Sequence, residues 1–445
     1  MSEFLEKLNS LVWGVPTLAA ILGTGLYLTL GTGFVQLRLF PEALRRFCGM
    51  FRGKDRSSFR SLCTALGATV GTGNLVGVAG ALCLGGPGSI FWMWICGFLG
   101  MATKYAETVL AVRFRVGRDG EWQGGPMYII TRGMGEKWTW LAGLYSFFGI
   151  FAAFGVGNAT QVNAMLTALR PFTGEKGTLI LGCGAAVLVG MLLSGGAKRI
   201  GAAAEKLVPL AAGGYILLCV IALILRFEQI GDAFGMIFRG AFSPKAVTGG
   251  VLGSCFCALR VGCARGVFTN EAGMGTASIA HAGAEVEHPA EQGMMGILEV
   301  FLDTIVICTL TALVILCSGV PIPYGFDDGV QLTGNAFSAV CGSWTSVFLA
   351  LCLCCFAFAT VLGWGLYGLR FAVYLLGTGA EKYFIRLQMF ASVLGAVLET
   401  GMIWQLAETV NGLMAVPNLL ALTVLAGEVK KITREWQNRK FIENL

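Results

Sequence analysis

SLCTALGATVGTGNLVGVAGALCLGGPG, residues 61–88, decides how the rest of the chain is read. From Leu62 to Leu84 it carries no charged residue. At about 1.5 Å per residue, a helix of that length crosses the hydrocarbon core of a bilayer. Its midpoint is Gly71-Thr72-Gly73-Asn74. Two glycines around a threonine, followed by an asparagine, make a poor continuous helix and free backbone NH and C=O groups at mid-membrane depth. Lipid cannot satisfy such groups, so the break survives only where protein or a watery cavity covers it. Broken helices at the bilayer midplane are where many secondary transporters hold a substrate and a coupling ion. The plainer alternative is that these glycines only let helices pack closely.

Composition places the whole chain in a membrane. Of 445 residues, 55% are hydrophobic and 13% charged, about half the charge of a soluble domain. The net charge of +6 does not point to nucleic acid, because the basic residues sit in loops between apolar runs, a pattern of membrane orientation. The fifteen cysteines lie scattered through apolar segments and read as small buried hydrophobes. No Gly-Lys-Ser/Thr phosphate loop, HExxH or GxSxG occurs, so ATP-driven pumping and hydrolase chemistry have no motif to stand on. An enzyme is not expected.

Eleven spans are expected, near 11–35, 62–84, 89–115, 139–169, 177–193, 206–226, 246–268, 293–318, 343–370, 385–405 and 408–427. Basic residues crowd alternate loops: seven between Arg38 and Arg60, then Arg113, Arg115, Arg118, Arg132 and Lys137, then Lys198, Arg199 and Lys206, then Arg370, Lys382 and Arg386. By the positive-inside rule the N-terminus is outside and the C-terminus cytoplasmic, as an odd span count requires. With the first span set aside, ten remain, in two sets of five. Five is odd, so the second set is inverted relative to the first. The expected organisation is an N-terminal helix and connector (1–60), a first five-helix repeat broken at 71–74 (61–230), an inverted second repeat (231–427) and a cytoplasmic tail (428–445). An interrupted span is then expected at the start of each half. In the second half this is 246–268, with Gly249, Gly250, Gly253, Gly262 and Gly266.

Several polar residues fall at membrane depth. Asn158 and Gln161 are three apart and share a helical face. They either bridge helices or line a substrate cavity. Thr360 and Trp364 are four apart; the hydroxyl either bonds its own backbone or ligates a hard cation, while the indole packs or walls a cavity. Glu299 and Asp303 are intramembrane acids, functional candidates by default, or else partners of Arg260 and Arg265. Lys104 and Glu107 read as a helix-surface pair near the cytoplasmic end. The stretch from Thr269 to His281 reads as a cytoplasmic loop. His281 and His288 are a weak metal signal.

The chain resembles the alanine/glycine:cation symporters, also called the sodium:alanine symporters, over nearly its whole length. The resemblance rests on ALGATVGTGNLVGVAGALCLGGPGSIFWMW from Ala65, KYAETVLAVRFR from Lys104, GVGNATQVNAM from Gly155, ARGVFTNEAGMGTASIAHA from Ala264, EVFLDTIVICTLTALVIL from Glu299, FAFATVLGW from Phe356 and NGLMAVPNLLAL from Asn411. It implies an all-α, multi-pass cell-membrane transporter with the inverted five-plus-five helix fold of sodium-coupled amino-acid transporters and one extra N-terminal helix. It implies symport of alanine, glycine or a similar small amino acid with Na⁺, or in some members H⁺, with no organic cofactor. Carried over by motif, the freed amides at Gly71, Thr72 and Gly73 hold the substrate carboxylate. Asn74, Asn158 and Gln161 add polar contacts, Trp364 limits the space for the side chain, and Thr360 with the carbonyls from Ala68 to Gly71 ligates Na⁺.

Two departures from the family pattern bear on coupling. Ala359 stands where a serine precedes the threonine, and Leu369 where a glutamate is common. One oxygen ligand fewer weakens a Na⁺ site, so coupling is expected to be weaker for Na⁺, shifted towards Li⁺ or H⁺, or completed by water. An uncoupled or H⁺-coupled facilitator is the alternative.

Overall fold

The structure, a computed structural model, describes residues 12–53, 55–118, 120–243, 254–326, 328–397 and 401–443, with Asn9 and Thr248. It is built almost wholly of helices. Helix α1 (Val15–Gly31) stops where the Thr32 hydroxyl donates back to Leu28 O at 2.7 Å. The amphipathic α2 (Phe40–Met50) follows, with Pro41 in its first turn. Asp55 caps α3 (Arg56–Thr69), accepting from Ser58 N at 3.2 Å. Val70 turns extended, and the chain restarts as a π-helical turn, Gly73–Gly77, that runs into α4 (Val78–Gly85). The two halves of this span meet at 53°, so the break expected at 71–74 is present.

Helix α5 (Gly88–Arg113) ends in a hairpin of β1 (Val116–Arg118) and β2 (Glu121–Gln123). Gly88 lies backbone to backbone against Gly240, an approach that no side chain would allow. Helix α6 (Thr139–Phe154) passes through a π turn at Gly155–Ala159 into α7 (Thr160–Leu193), interrupted at Gly174 (φ 65°) beside Pro171. That interruption is the gap expected between spans 139–169 and 177–193. After α8 (Gly196–Leu225) comes α9 (Ile230–Phe242), a helix that hydropathy did not announce.

The second half opens with α10 (Cys255–Asn270). Gly249, Gly250 and Gly253, expected to interrupt this span, lie outside the described residues. The described interruption comes later, at 271–277, where Glu271 (φ 53°), Gly273 (φ 96°) and Gly275 (φ 80°) are left-handed. A single turn, Ser278–His281, then leads to α11 (Pro289–Val300), a long π-helical stretch at Phe301–Cys308 and α12 (Thr309–Cys317). Helix α13 (Gly329–Cys341) lies between the expected spans 293–318 and 343–370, where no span is expected. The chain finishes with α14 (Trp344–Leu376), α15 (Glu381–Val397), α16 (Gly401–Val424) and α17 (Ala426–Glu443).

Helix α5 packs between α10 and α11, α3 lies against α8 and α14, and α7 runs along α14 and α15. Among the described residues, five helical segments are long and apolar enough to cross a membrane, and seven if each sharply bent pair counts as one span. The stretch 269–281, expected as a loop, is irregular at 271–277 and buried rather than solvent-exposed. Asn270, Glu271, Thr276, Ser278 and His281 are all buried, because α5, α6 and α16 supply polar partners for its unwound backbone.

Candidate functional site

The break in the first span lines a cavity of about 20 Å³, room for about one water molecule. Ala68, Gly71, Thr72, Gly73, Gln161, Thr360 and Trp364, expected to share a site, all line it. They come from α3, the π turn, α7 and α14. Helix α3 ends here with its carbonyls directed at the break: Gly67 O accepts the Thr360 hydroxyl at 3.0 Å. The Ala359 methyl faces the same turn of α3, in contact range of a Cβ placed on Gly67. Beyond the break the chain restarts as a helix at Thr72 and Gly73, whose NH groups have no preceding turn to donate to. The site therefore has a partial negative end at Gly67–Thr69 and a partial positive end at Thr72–Gly73.

Gln161 donates from Nε2 to Val156 O at 3.1 Å, and its Oε1 has no hydrogen-bond partner. Burying an acceptor this way costs roughly 1–3 kcal/mol, so the geometry favours a donor arriving in the cavity. Trp364 is fully buried, seated on Gly157 and edge-on to Tyr367 at 5.8 Å. Its Nε1 donates to Glu271 Oε1 at 3.2 Å, and the Thr276 hydroxyl donates to Glu271 Oε2 at 2.6 Å. Phe268, Glu271 and Asn411 also line the cavity. The sequence reading missed them. The available signal was Glu271 itself, a charged residue inside a Gly-rich stretch that opens the second break.

Two expected contacts fall elsewhere. Asn158 is buried and donates to Gln388 O at 2.9 Å and to Gln388 Oε1, while its Oδ1 accepts the Ser392 hydroxyl at 2.8 Å. It bridges to α15 and does not line the cavity. The cause is the π turn at Gly155–Ala159: its wider i→i+5 turn sends two residues three apart to different neighbours. Asn74 likewise turns away from the cavity. Its Oδ1 accepts Gly71 N at 2.9 Å, and its Nδ2 donates to Asp303 Oδ1 at 2.7 Å.

That bond begins a relay between the two breaks. Asp303 Oδ2 accepts the Thr304 hydroxyl at 2.9 Å, Thr304 Oγ1 accepts Asn270 Nδ2 at 3.1 Å, and Asn270 Oδ1 accepts Ala272 N at 2.9 Å. Backbone at Gly71 and at Ala272 is thus joined through side chains of α11's π-helical extension. Glu299 and Asp303 do not take Arg260 or Arg265 as partners. Glu299 pairs with Lys104 Nζ at 3.3 Å and His281 Nε2 at 2.8 Å. His281 Nδ1 meets Gln292 Nε2 at 2.7 Å, so this histidine belongs to a hydrogen-bonded row. No group of three or more metal-ligating side chains forms among the described residues.

Lys104 and Glu107 are not a surface pair; both are fully buried. Glu107 Oε1 accepts Gly273 N at 2.9 Å, Gly275 N at 3.1 Å and Asn418 Nδ2 at 2.7 Å. It anchors the backbone of the second break. Four buried carboxylates, Glu107, Glu271, Glu299 and Asp303, thus lie in an interior where Lys104 is the one buried lysine among the described residues, and it pairs with Glu299.

The sodium:alanine symporter family model matches residues 1–444. The sodium/alanine symporter AgcS of Methanococcus maripaludis is 42% identical over 97% of this chain and 96% of its own. An uncharacterized transporter of Haemophilus influenzae is 42% identical over 99% and 97%. Among solved structures, MhsT in complex with L-phenylalanine superposes with a TM-score of 0.57 at 14% identity, covering 84% of this chain and 97% of that one. That likeness supports the transporter fold alone. The relatives are transporters, not enzymes, and the chain belongs to the sodium:alanine symporter family.

Proposed function

We propose that the chain carries alanine, glycine or a similar small amino acid across the plasma membrane, driven by symport of a cation, Na⁺ in the leading reading. The observation that carries this is the meeting of two oppositely polarised helix ends, an unpartnered Gln161 oxygen and a buried tryptophan around one small cavity. The substrate carboxylate takes the NH groups at Thr72 and Gly73. Its ammonium meets Gln161 Oε1 and the Glu271 carboxylate, and Trp364 leaves space for little more than a methyl. The cation takes Thr360 Oγ1 and carbonyls from Ala68 to Gly71, since a hard ion prefers several oxygens. Because the cavity has room for about one water, the substrate enters only when its walls separate. Eleven spans, arranged as one helix plus two inverted sets of five with the N-terminus outside, fit this reading. So do the domain limits 1–60, 61–230, 231–427 and 428–445.

A second reading, H⁺-coupled or uncoupled passage, draws on Ala359. Its methyl faces Gly67 where a hydroxyl would face the ion. Binding of labelled alanine to purified protein tests the site. Glycine is expected to displace it and valine is not, whereas in Trp364→Ala valine is expected to compete. Valine displacing alanine equally in both proteins would remove Trp364 as the wall of the site.

A further inference from the structure

At the connector between α1 and α3, a second surface is built for a charged partner. Leu37, Leu44 and Phe51 recur every seven residues and are 58%, 45% and 61% exposed. Arg38, Arg45 and Arg52 recur at the same interval, and all three are exposed. The backbone stays right-handed helical through Leu39 and Phe51. Seven residues are close to two turns, so the two rows run side by side along one face of α2 and of the residues that flank it at 37–38 and 51–52. The opposite face is committed to the protein. Ala43 and Met50 are buried, Arg46 pairs with Glu291 at 2.9 Å, and Phe40 meets Phe301 edge-on at 4.7 Å. Among the described residues no carboxylate lies within ion-pair distance of Arg38, Arg45 or Arg52. Arg45, Arg46 and Arg52 line a surface depression of about 440 Å³, with Asp55 at its edge. The Asp55 Oδ1 is already used in capping α3.

We propose that this face docks anionic phospholipid headgroups of the adjoining leaflet. The apolar row beds at the acyl boundary and the arginine row grips phosphate. Three features select this occupant over a protein partner. The helix follows shortly after the apolar α1, which the sequence reads as the first membrane span. Its exposed residues segregate into an apolar and a basic row, the signature of a helix lying in the interface. Guanidinium groups also match phosphate in a fork of parallel hydrogen bonds. Through Arg46–Glu291 and Phe40–Phe301 the face is fixed to the helix that carries Glu299 and Asp303, so a bound headgroup sits two contacts from the buried relay.

The test is native mass spectrometry of the purified full chain, titrated with phosphatidylglycerol or phosphatidylcholine. The R38Q/R45Q/R52Q variant is compared with wild type and with K382Q/R386Q, which removes exposed charge elsewhere. Wild type and the control are expected to retain phosphatidylglycerol over phosphatidylcholine, and the triple variant to lose about tenfold or more of that retention. Equal retention of both lipids by wild type, or undiminished phosphatidylglycerol on the triple variant, would overturn the proposal. The wild-type comparison stands even if the triple variant does not fold.

Discussion

Ala359 and Thr360 sit side by side on α14 against the end of α3, and only one of them offers an oxygen. The Thr360 hydroxyl is already held by Gly67 O and Phe356 O, each at 3.0 Å. A serine at 359 would add a second hydroxyl facing the same turn. Ala359→Ser is expected to lower the Na⁺ concentration for half-maximal alanine uptake by roughly threefold or more. Unchanged Na⁺ dependence would place the ion elsewhere. Lys104 supports the second prediction. It meets Glu299 at 3.3 Å with both groups excluded from water. Lys104→Met leaves a buried carboxylate with His281 and no lysine, and breaking such a pair costs about 3–5 kcal/mol. Lys104→Met is expected to unfold at markedly lower temperature, and K104M/E299Q to recover part of the loss. A thermal-shift series on the three proteins separates this from a surface pair, whose removal would change almost nothing. These residues also mark what the sequence could not tell. Lys104 and Glu107 are spaced like an ordinary exposed pair, and only the packing of α5 between α10 and α11 buries them.

At the scale of elements, the first break was legible because glycine, threonine and asparagine interrupt an otherwise apolar span. The second was not, because Glu271 and the glycines at 273 and 275 carry the composition of a solvent loop. What buries them is Glu107 and Asn418, which lie 166 and 145 residues away from Gly273. Helices α9 and α13 escaped for another reason. Each is 13 residues long, too short to cross a bilayer and too mixed to stand out in hydropathy. Helix α13 reaches the break itself, where the Thr333 hydroxyl donates to Leu75 O at 3.1 Å. Helix α11 owes its start to His288, whose Nδ1 accepts Ala290 N at 3.2 Å with Glu291 completing the capping box. Burial holds the His288 imidazole below its ordinary value of 6.5, and only the neutral ring can accept. The cap's contribution is therefore present above the unfolded value and is lost as pH falls towards the lower folded one. Thermal stability of wild type is expected to decline as pH drops from about 7 to about 5, with a smaller decline in His288→Asn, where the cap does not titrate. Identical profiles would dismiss the histidine as the titrating cap.

For the whole molecule, membrane residence and the family motifs were written in the sequence, because both depend on composition and local order. The convergence of α3, α7, α10 and α14 on one cavity depends on tertiary packing. A π turn was enough to separate Asn158 from Gln161. The assembled molecule joins its two interrupted spans through Asn74, Asp303, Thr304 and Asn270, so the proposed substrate and cation seats are tied to backbone at both breaks. Coupled transport is the central consequence. It is tested most directly by labelled alanine uptake into proteoliposomes under an imposed inward Na⁺ gradient, an H⁺ gradient, or neither. Accumulation above equilibrium is expected with Na⁺ and not in the absence of both gradients. Accumulation driven only by H⁺ would move coupling to the buried acids, and equilibration without accumulation under either gradient would contradict coupled symport outright.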